Sequence, residues 1–181
     1  SNVKVVSHAS KPWREELRRS LAALARHLKQ SPYGHRALCI QPISGMGGEW
    51  YMWGTFDTGG GTERLDYSQP FQEYFADFAL QKYGTLDAVN QAWRTDYSST
   101  AEISIPSVAE RDRNDWFEFL DARTSRRTID FRQAVSELMA DNVITMCDAI
   151  KSGSGERMYA GSFYGYTTYV TDPMPTRSEG G

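Results

Sequence analysis

Residues 36–54 constrain this chain more than any other stretch. Ala37 to Ile40 is a short apolar run, the pattern of a buried strand. It passes through Gln41 and Pro42 into a turn carrying Gly45, Gly47 and Gly48. One carboxylate, Glu49, then stands among Trp50, Tyr51 and Trp53. A strand that ends in glycines and delivers one acid into an aromatic cluster suits a sugar-binding cleft. Sugar rings present apolar C–H faces that stack on aromatic rings, and a desolvated Glu beside them is pushed towards the range of a general acid. The same stretch also reads as a surface Glu beside a few core tryptophans, and at this point both readings stand.

Composition narrows the classes. A chain of 181 residues is expected to form one domain, and 40% hydrophobic with 24% charged residues is ordinary for a globular protein. A net charge of −3 supplies no basic field for nucleic acid or anionic membrane, so neither is an expected partner. Cys39 and Cys147 have no metal or disulfide-framework spacing and read as free, buried thiols. His8, His27 and His35 show no ligand spacing, which argues against a structural zinc or a histidine-based triad. No run approaches the roughly 20 apolar residues of a membrane span. The opening Ser1-Asn2-Val3-Lys4 does not look like a signal peptide, so a cytoplasmic location is the expectation. Ten Tyr and five Trp within 13% aromatic content favour a ligand cleft.

Taken in order, Ser10 and Pro12 mark a helix start, and Trp13, Leu17, Leu21, Leu24 and Leu28 recur on one face as a core stripe. Ser31 to Gly34 ends that helix. Thr55 to Ser68, with Gly59, Gly60 and Gly61, reads as a long loop whose Asp57, Glu63 and Asp66 are either ligand contacts or simply solvated. Helical spacing resumes over 69–83 through Phe71, Phe75, Phe78 and Leu80, closed by Gly84. Thr85 caps a short helix ending at Trp93, and 98–106 is irregular. Arg111 to Asn114 forms a charged stretch ahead of Trp116, Phe117, Phe119 and Leu120. A long helix is expected from about Ser125 to Lys151, with Ile129, Val135, Leu138, Met139, Met146 and Ile150 inward and Ser152 to Gly155 as its stop. Residues 157–166 read as a second buried strand, again ending in glycine and aromatics. This order predicts an α/β protein with parallel strands, whose ligand site lies at the strands' C-terminal ends.

The segment Gln81-Lys82-Tyr83-Gly84-Thr85-Leu86-Asp87-Ala88-Val89-Asn90-Gln91-Ala92-Trp93 closely resembles the KYGTLDALNxAW segment of family-42 β-galactosidases, clan A glycoside hydrolases built on a (β/α)8 TIM barrel. Ile105-Pro106 fits the same pattern. His27 to Tyr33 resembles the helix end before the family's fourth barrel strand, and Ser162 to Tyr166 looks like the end of the next strand. The resemblance covers most of residues 10–168. It implies a helix-rich part of a (β/α)8 barrel over 1–181, with a helical insertion at about 66–124 that carries no chemistry itself. It also places Glu49 where the family has its acid/base, with Trp50, Tyr51, Trp53, Tyr164 and Tyr166 as the sugar-binding aromatics.

Two departures qualify that implication. The family has Asn before its acid/base Glu, where this chain has Gly48, so galactose specificity is in doubt. A retaining enzyme also needs a second carboxyl roughly 5–5.5 Å from the first. The family's nucleophile sits on a seventh strand, whereas only two strands are evident here and a whole barrel takes about 250 residues. Glu179, in a tail without strand pattern, is not a credible substitute. The chain is therefore expected to be part of a larger retaining glycosidase acting on a β-galactoside or related carbohydrate, or a reduced relative that binds sugar without cleaving it. No cofactor is implied, since carboxylates suffice for glycoside hydrolysis. A third reading, a structural α/β piece completed by another chain, predicts homo-oligomers or aggregates through exposed strand edges.

Overall fold

The computed structural model describes residues 6–43, 50, 66–112 and 120–163. The glycines of the expected turn, Glu49, residues 51–65 with most of the expected Thr55–Ser68 loop, Trp116 to Phe119 and everything from Tyr164 onward lie outside the described residues. Elements follow in the order α1 (Lys11–Gln30), β1 (Cys39–Ile40), α2 (Gln69–Tyr83), α3 (Leu86–Trp93), α4 (Val108–Asp112), α5 (Arg126–Ser154) and β2 (Tyr159–Ala160). Single 3-10 turns lie at Gly34–Arg36 and Thr100–Glu102. The chain divides into two compact units, Ser1–Trp53 with Glu137–Gly165 and Gly54–Ser136 with Tyr166–Gly181.

In the first unit α1 starts where its cap predicts, Ser10 Oγ accepting the Trp13 N–H, and ends at Ser31. The expected core stripe is only half realised. Ala25 is fully buried, whereas Leu24 keeps 44% of its surface exposed. On α5 the inward residues Leu138, Met139, Met146 and Ile150 are buried as their spacing requires. Asn142, also buried, donates to the His8 carbonyl at 3.1 Å. The helix runs through Gly153, which packs against the Ala22 backbone, and stops only at Gly155, whose φ of 64° suits glycine.

The two strands pair in parallel, as expected, with Cys39 opposite Tyr159 and Ile40 opposite Ala160. They are not the buried strands that their apolar runs suggest. Met158 is buried, but its neighbour Tyr159 is 74% exposed, and Leu38 is 72% exposed. The reason is the period of two: one face of β2 (Met158, then the half-buried Ala160 and Ser162) turns inward, while Tyr159, Gly161 and Phe163 alternate outward. Parallel sheets are normally covered on both faces; this pair is covered on one. Both cysteines are free, but Cys39 is exposed and Cys147 half-buried, so the expectation of buried thiols fails with the buried strand.

The second unit is helical. α2 begins with Pro70 in its first turn and closes at Gly84, φ 82°, whose N–H reaches Leu80 O at 2.8 Å. Thr85 caps α3 by accepting from Ala88 N. α4, of which only Arg111 and Asp112 fall in the expected charged stretch, is nucleated by a reciprocal cap. Ser107 Oγ accepts the Glu110 N–H at 3.2 Å while the Glu110 carboxylate accepts the Ser107 N–H at 2.7 Å. The core is aromatic: Phe75 stacks on Trp93 at 5.3 Å, and Phe131 meets Phe71 and Phe75 edge-on at 5.8 and 5.9 Å. Each such buried ring contributes about 1.5–3 kcal/mol, with ring-pair geometry adding to it. Among the described residues no helix is long and apolar enough to cross a membrane.

Candidate functional site

The C-terminal ends of the two strands converge on one backbone atom. The Pro42 carbonyl, just past β1, accepts from the Trp50 indole N–H at 2.9 Å and from Ser162 Oγ, just past β2, at 2.7 Å. The Trp50 backbone N–H in turn donates to Phe163 O at 3.2 Å. Trp50 is thus held at the strand ends by two bonds, one from its ring and one from its backbone.

Of the six expected site residues, Trp50 alone is described. Glu49, Tyr51, Trp53, Tyr164 and Tyr166 lie outside the described residues. Trp50 is 1% exposed and its ring packs 6.1 Å from the His8 imidazole, which sits edge-on to Trp13 at 5.4 Å. Stacking on a sugar needs an open ring face, and this ring has none. The expectation of Trp50 as part of a sugar platform is corrected: it is a core residue that pins the chain to the strand ends. Pro42, Ser162 and His8 were not singled out by sequence, because their roles rest on a carbonyl, a hydroxyl and a ring contact that no spacing reveals.

Elsewhere Asp66 accepts the Ser68 N–H at 2.8 Å, an Asx turn leading into α2 rather than a ligand contact. A groove of about 280 Å³ in the second unit is lined by Gln72, Glu73, Asp77, Leu80, Thr100 and Ile103 among others. It has no aromatic wall, and Gln72 is already committed to Ile103 O and the Ile105 N–H. No group of three or more His, Cys, Asp or Glu that could hold a metal occurs among the described residues.

The second unit contains one concentrated charge centre. Asp130, on the second turn of α5, has no exposed surface. Its Oδ1 accepts from Lys82 Nζ at 2.9 Å and faces Arg126 Nε at 3.1 Å; its Oδ2 accepts from Tyr83 Oη at 2.6 Å and Trp93 Nε1 at 2.8 Å. A carboxylate offers about four acceptor sites, and all are filled. Burial alone would push the Asp130 carboxyl up, but the Tyr83, Trp93 and Lys82 bonds outweigh it and hold the group below its ordinary value. The Tyr83 phenol is pushed up, by burial first and by its bond to Asp130 second. Sequence reading treated the 81–93 segment as inert. The overlooked signal was one acid within the apolar face of α5, between Ile129 and Phe131.

Comparison with known proteins places this geometry. The family model described as Glyco_hydro_42, beta-galactosidase, matches residues 47–176. No curated protein sequence matches the chain. Among solved structures it is similar to a beta-galactosidase from the psychrophilic Marinomonas ef1, with a TM-score of 0.60 and 21% identity over 87% of this chain. The present chain spans 21% of the length of that one. At such identity the structural likeness speaks for the fold. The family match, from just before Glu49 to beyond β2, covers well over half of the sequence, and the chain belongs to the β-galactosidase family of glycoside hydrolases numbered 42.

Proposed function

We propose that this chain is the acid/base-bearing part of a retaining glycoside hydrolase of β-galactosidase type, built on part of a (β/α)8 barrel in which residues 66–124 form a helical insertion. One observation carries the reading. Trp50 is bonded to the loop ends of two adjacent parallel strands, through Pro42 O and Phe163 O. Glu49 is one peptide bond away, and ligand sites of parallel α/β folds gather at the strands' C-terminal ends. In this mechanism Glu49 protonates the glycosidic oxygen as the bond to the leaving group breaks. A second carboxylate forms the glycosyl-enzyme, and Glu49 then removes a proton from the attacking water. Tyr51, Trp53, Tyr164 and Tyr166 supply the rings on which the sugar stacks. The nucleophile is not assigned to any residue of this chain, and Gly48 leaves the sugar's identity to be set by other contacts.

The test is Glu49→Gln in the natural full-length polypeptide, assayed with an aryl β-galactoside. Turnover should fall at least about 10²-fold, the usual share of a general acid/base, with an unchanged circular dichroism spectrum. Unaltered turnover would remove Glu49 from the mechanism. Saturable quenching of tryptophan fluorescence by galactosides, with no hydrolysis by the parent at any pH, would show a binding protein instead.

A further inference from the structure

Lys82, Tyr83 and Trp93 give the 81–93 segment its character, and the glycosidase reading has no use for their polar atoms. We propose that these three side chains, with Arg126, form a receptor for a single carboxylate. Asp130 is its resident ligand, and a free anion the size of formate or acetate takes the same place once the Asp130 side chain is removed.

The geometry supports a receptor formed largely without its ligand. Trp93 is fixed by its stack on Phe75 and by the Tyr83 ring edge-on at 6.3 Å. Lys82 Nζ lies 5.4 Å from the centre of the Phe78 ring and also bonds to Gln133. Arg126 Nε is within 3.0 Å of Tyr83 Oη, so the phenol accepts from the arginine while donating to the carboxylate. None of these contacts involves Asp130. The donors come from three helices: Lys82 and Tyr83 at the end of α2, Trp93 at the end of α3 and Arg126 in the first turn of α5. Two cations face one anion here, so withdrawing the carboxylate leaves a cradle with excess positive charge and two neutral donors. Burial makes that charge-assisted cradle costly to leave empty.

The groups facing Asp130 that titrate are Lys82 and Tyr83 from α2 and Arg126 from α5; Trp93 does not. Because the Asp130 carboxyl is held below its ordinary value, its contribution is fully present above the unfolded-state value of about 3.9. It is lost as pH falls through the lower, folded value. The α2–α3 pair is thus joined to α5 by a clasp that acid opens.

The experiment uses the whole chain carrying Asp130→Ala, melted at pH 7 by near-ultraviolet circular dichroism. Sodium formate and sodium acetate are compared with sodium chloride at equal ionic strength. The variant should melt roughly 10 °C below the parent. Formate should recover part of that loss along a saturating curve, while chloride recovers none and the parent responds to neither. Absence of a saturating, formate-specific recovery overturns the receptor. Should Asp130→Ala not fold, Tyr83→Phe and Trp93→Phe each remove one donor and keep a ring. Both should then move the acid-unfolding midpoint to higher pH, and an unmoved midpoint in both overturns the proposal. The test reads no glycosidase activity, so its outcome is independent of Glu49.

Discussion

Gly153 shows how a single position can be read two ways. A Cβ there would stand 2.9 Å from Ala22 Cα and 3.0 Å from its carbonyl carbon, with only backbone to push against. At the last position but one of α5, helix propensity favours alanine over glycine by less than the roughly 1 kcal/mol of a helix interior. Crowding that cannot be relieved by a rotamer change costs about 1–3 kcal/mol, so crowding wins. Gly153→Ala should destabilise the chain by roughly 1–2 kcal/mol in urea denaturation, and a variant more stable than the parent would show that α1 yields freely here. From sequence, Gly153 and Gly155 look like equivalent helix stops. The difference lies in the Ala22 backbone and in the sign of φ at 155, neither visible in a local pattern. The caps were legible because Ser10 and Thr85 act on residues three positions away. Trp50 was not, since a tryptophan after a glycine-rich turn looks the same whether its ring faces a sugar or Pro42.

At the scale of elements, Arg127 adds polar ties to the irregular stretch before α4, whose Ile103 and Ile105 are buried. Its Nη2 donates to Ser104 O at 2.8 Å, Ser104 Oγ at 2.7 Å and Ile105 O at 3.2 Å. Its Nε donates to Ser104 O at 3.1 Å, and Nη1 reaches Glu110 at 3.1 Å on α4. A planar fork spreads donors over that area, and an ammonium cannot. Arg127→Lys should therefore cost about 1–2 kcal/mol, from part-buried acceptors left unmatched. Faster amide exchange should be confined to 103–110, and exchange rates equal to the parent's there would show that the lysine serves as well. The helices themselves were readable, since Phe71, Phe75 and Phe78 keep one period and Gly84 stops it. The ties between them were not. Beside the aromatic contacts of Phe71, Phe75, Trp93 and Phe131, they are made by polar side chains meeting backbone or other side chains from remote segments, and hydrophobic period carries no trace of those.

For the whole molecule, the parallel direction of the strands followed from element order, whereas strand burial did not. An apolar run says that a strand will be covered, not by what. Here Leu38, Ile43, Tyr159 and Phe163 remain 72%, 62%, 74% and 59% exposed, all on or beside the sheet that β1 and β2 form among the described residues. The chain spans 21% of the similar β-galactosidase, in which far more polypeptide is present. Large apolar side chains left exposed on a short sheet are conditions under which sheets pair between molecules. The 181-residue chain by itself should therefore elute from size exclusion as associated species at high concentration and dissociate on dilution. Tyr159→Lys combined with Phe163→Lys places two charges on the outward face of β2, while Met158 and Ala160, on the inward face, keep the core intact. The double variant should elute as a 20.5 kDa monomer across the same concentrations, with an unchanged melting temperature. Association undiminished in the double variant would place the contact elsewhere on the chain. A parent that is monomeric at every concentration would show that this face drives no association.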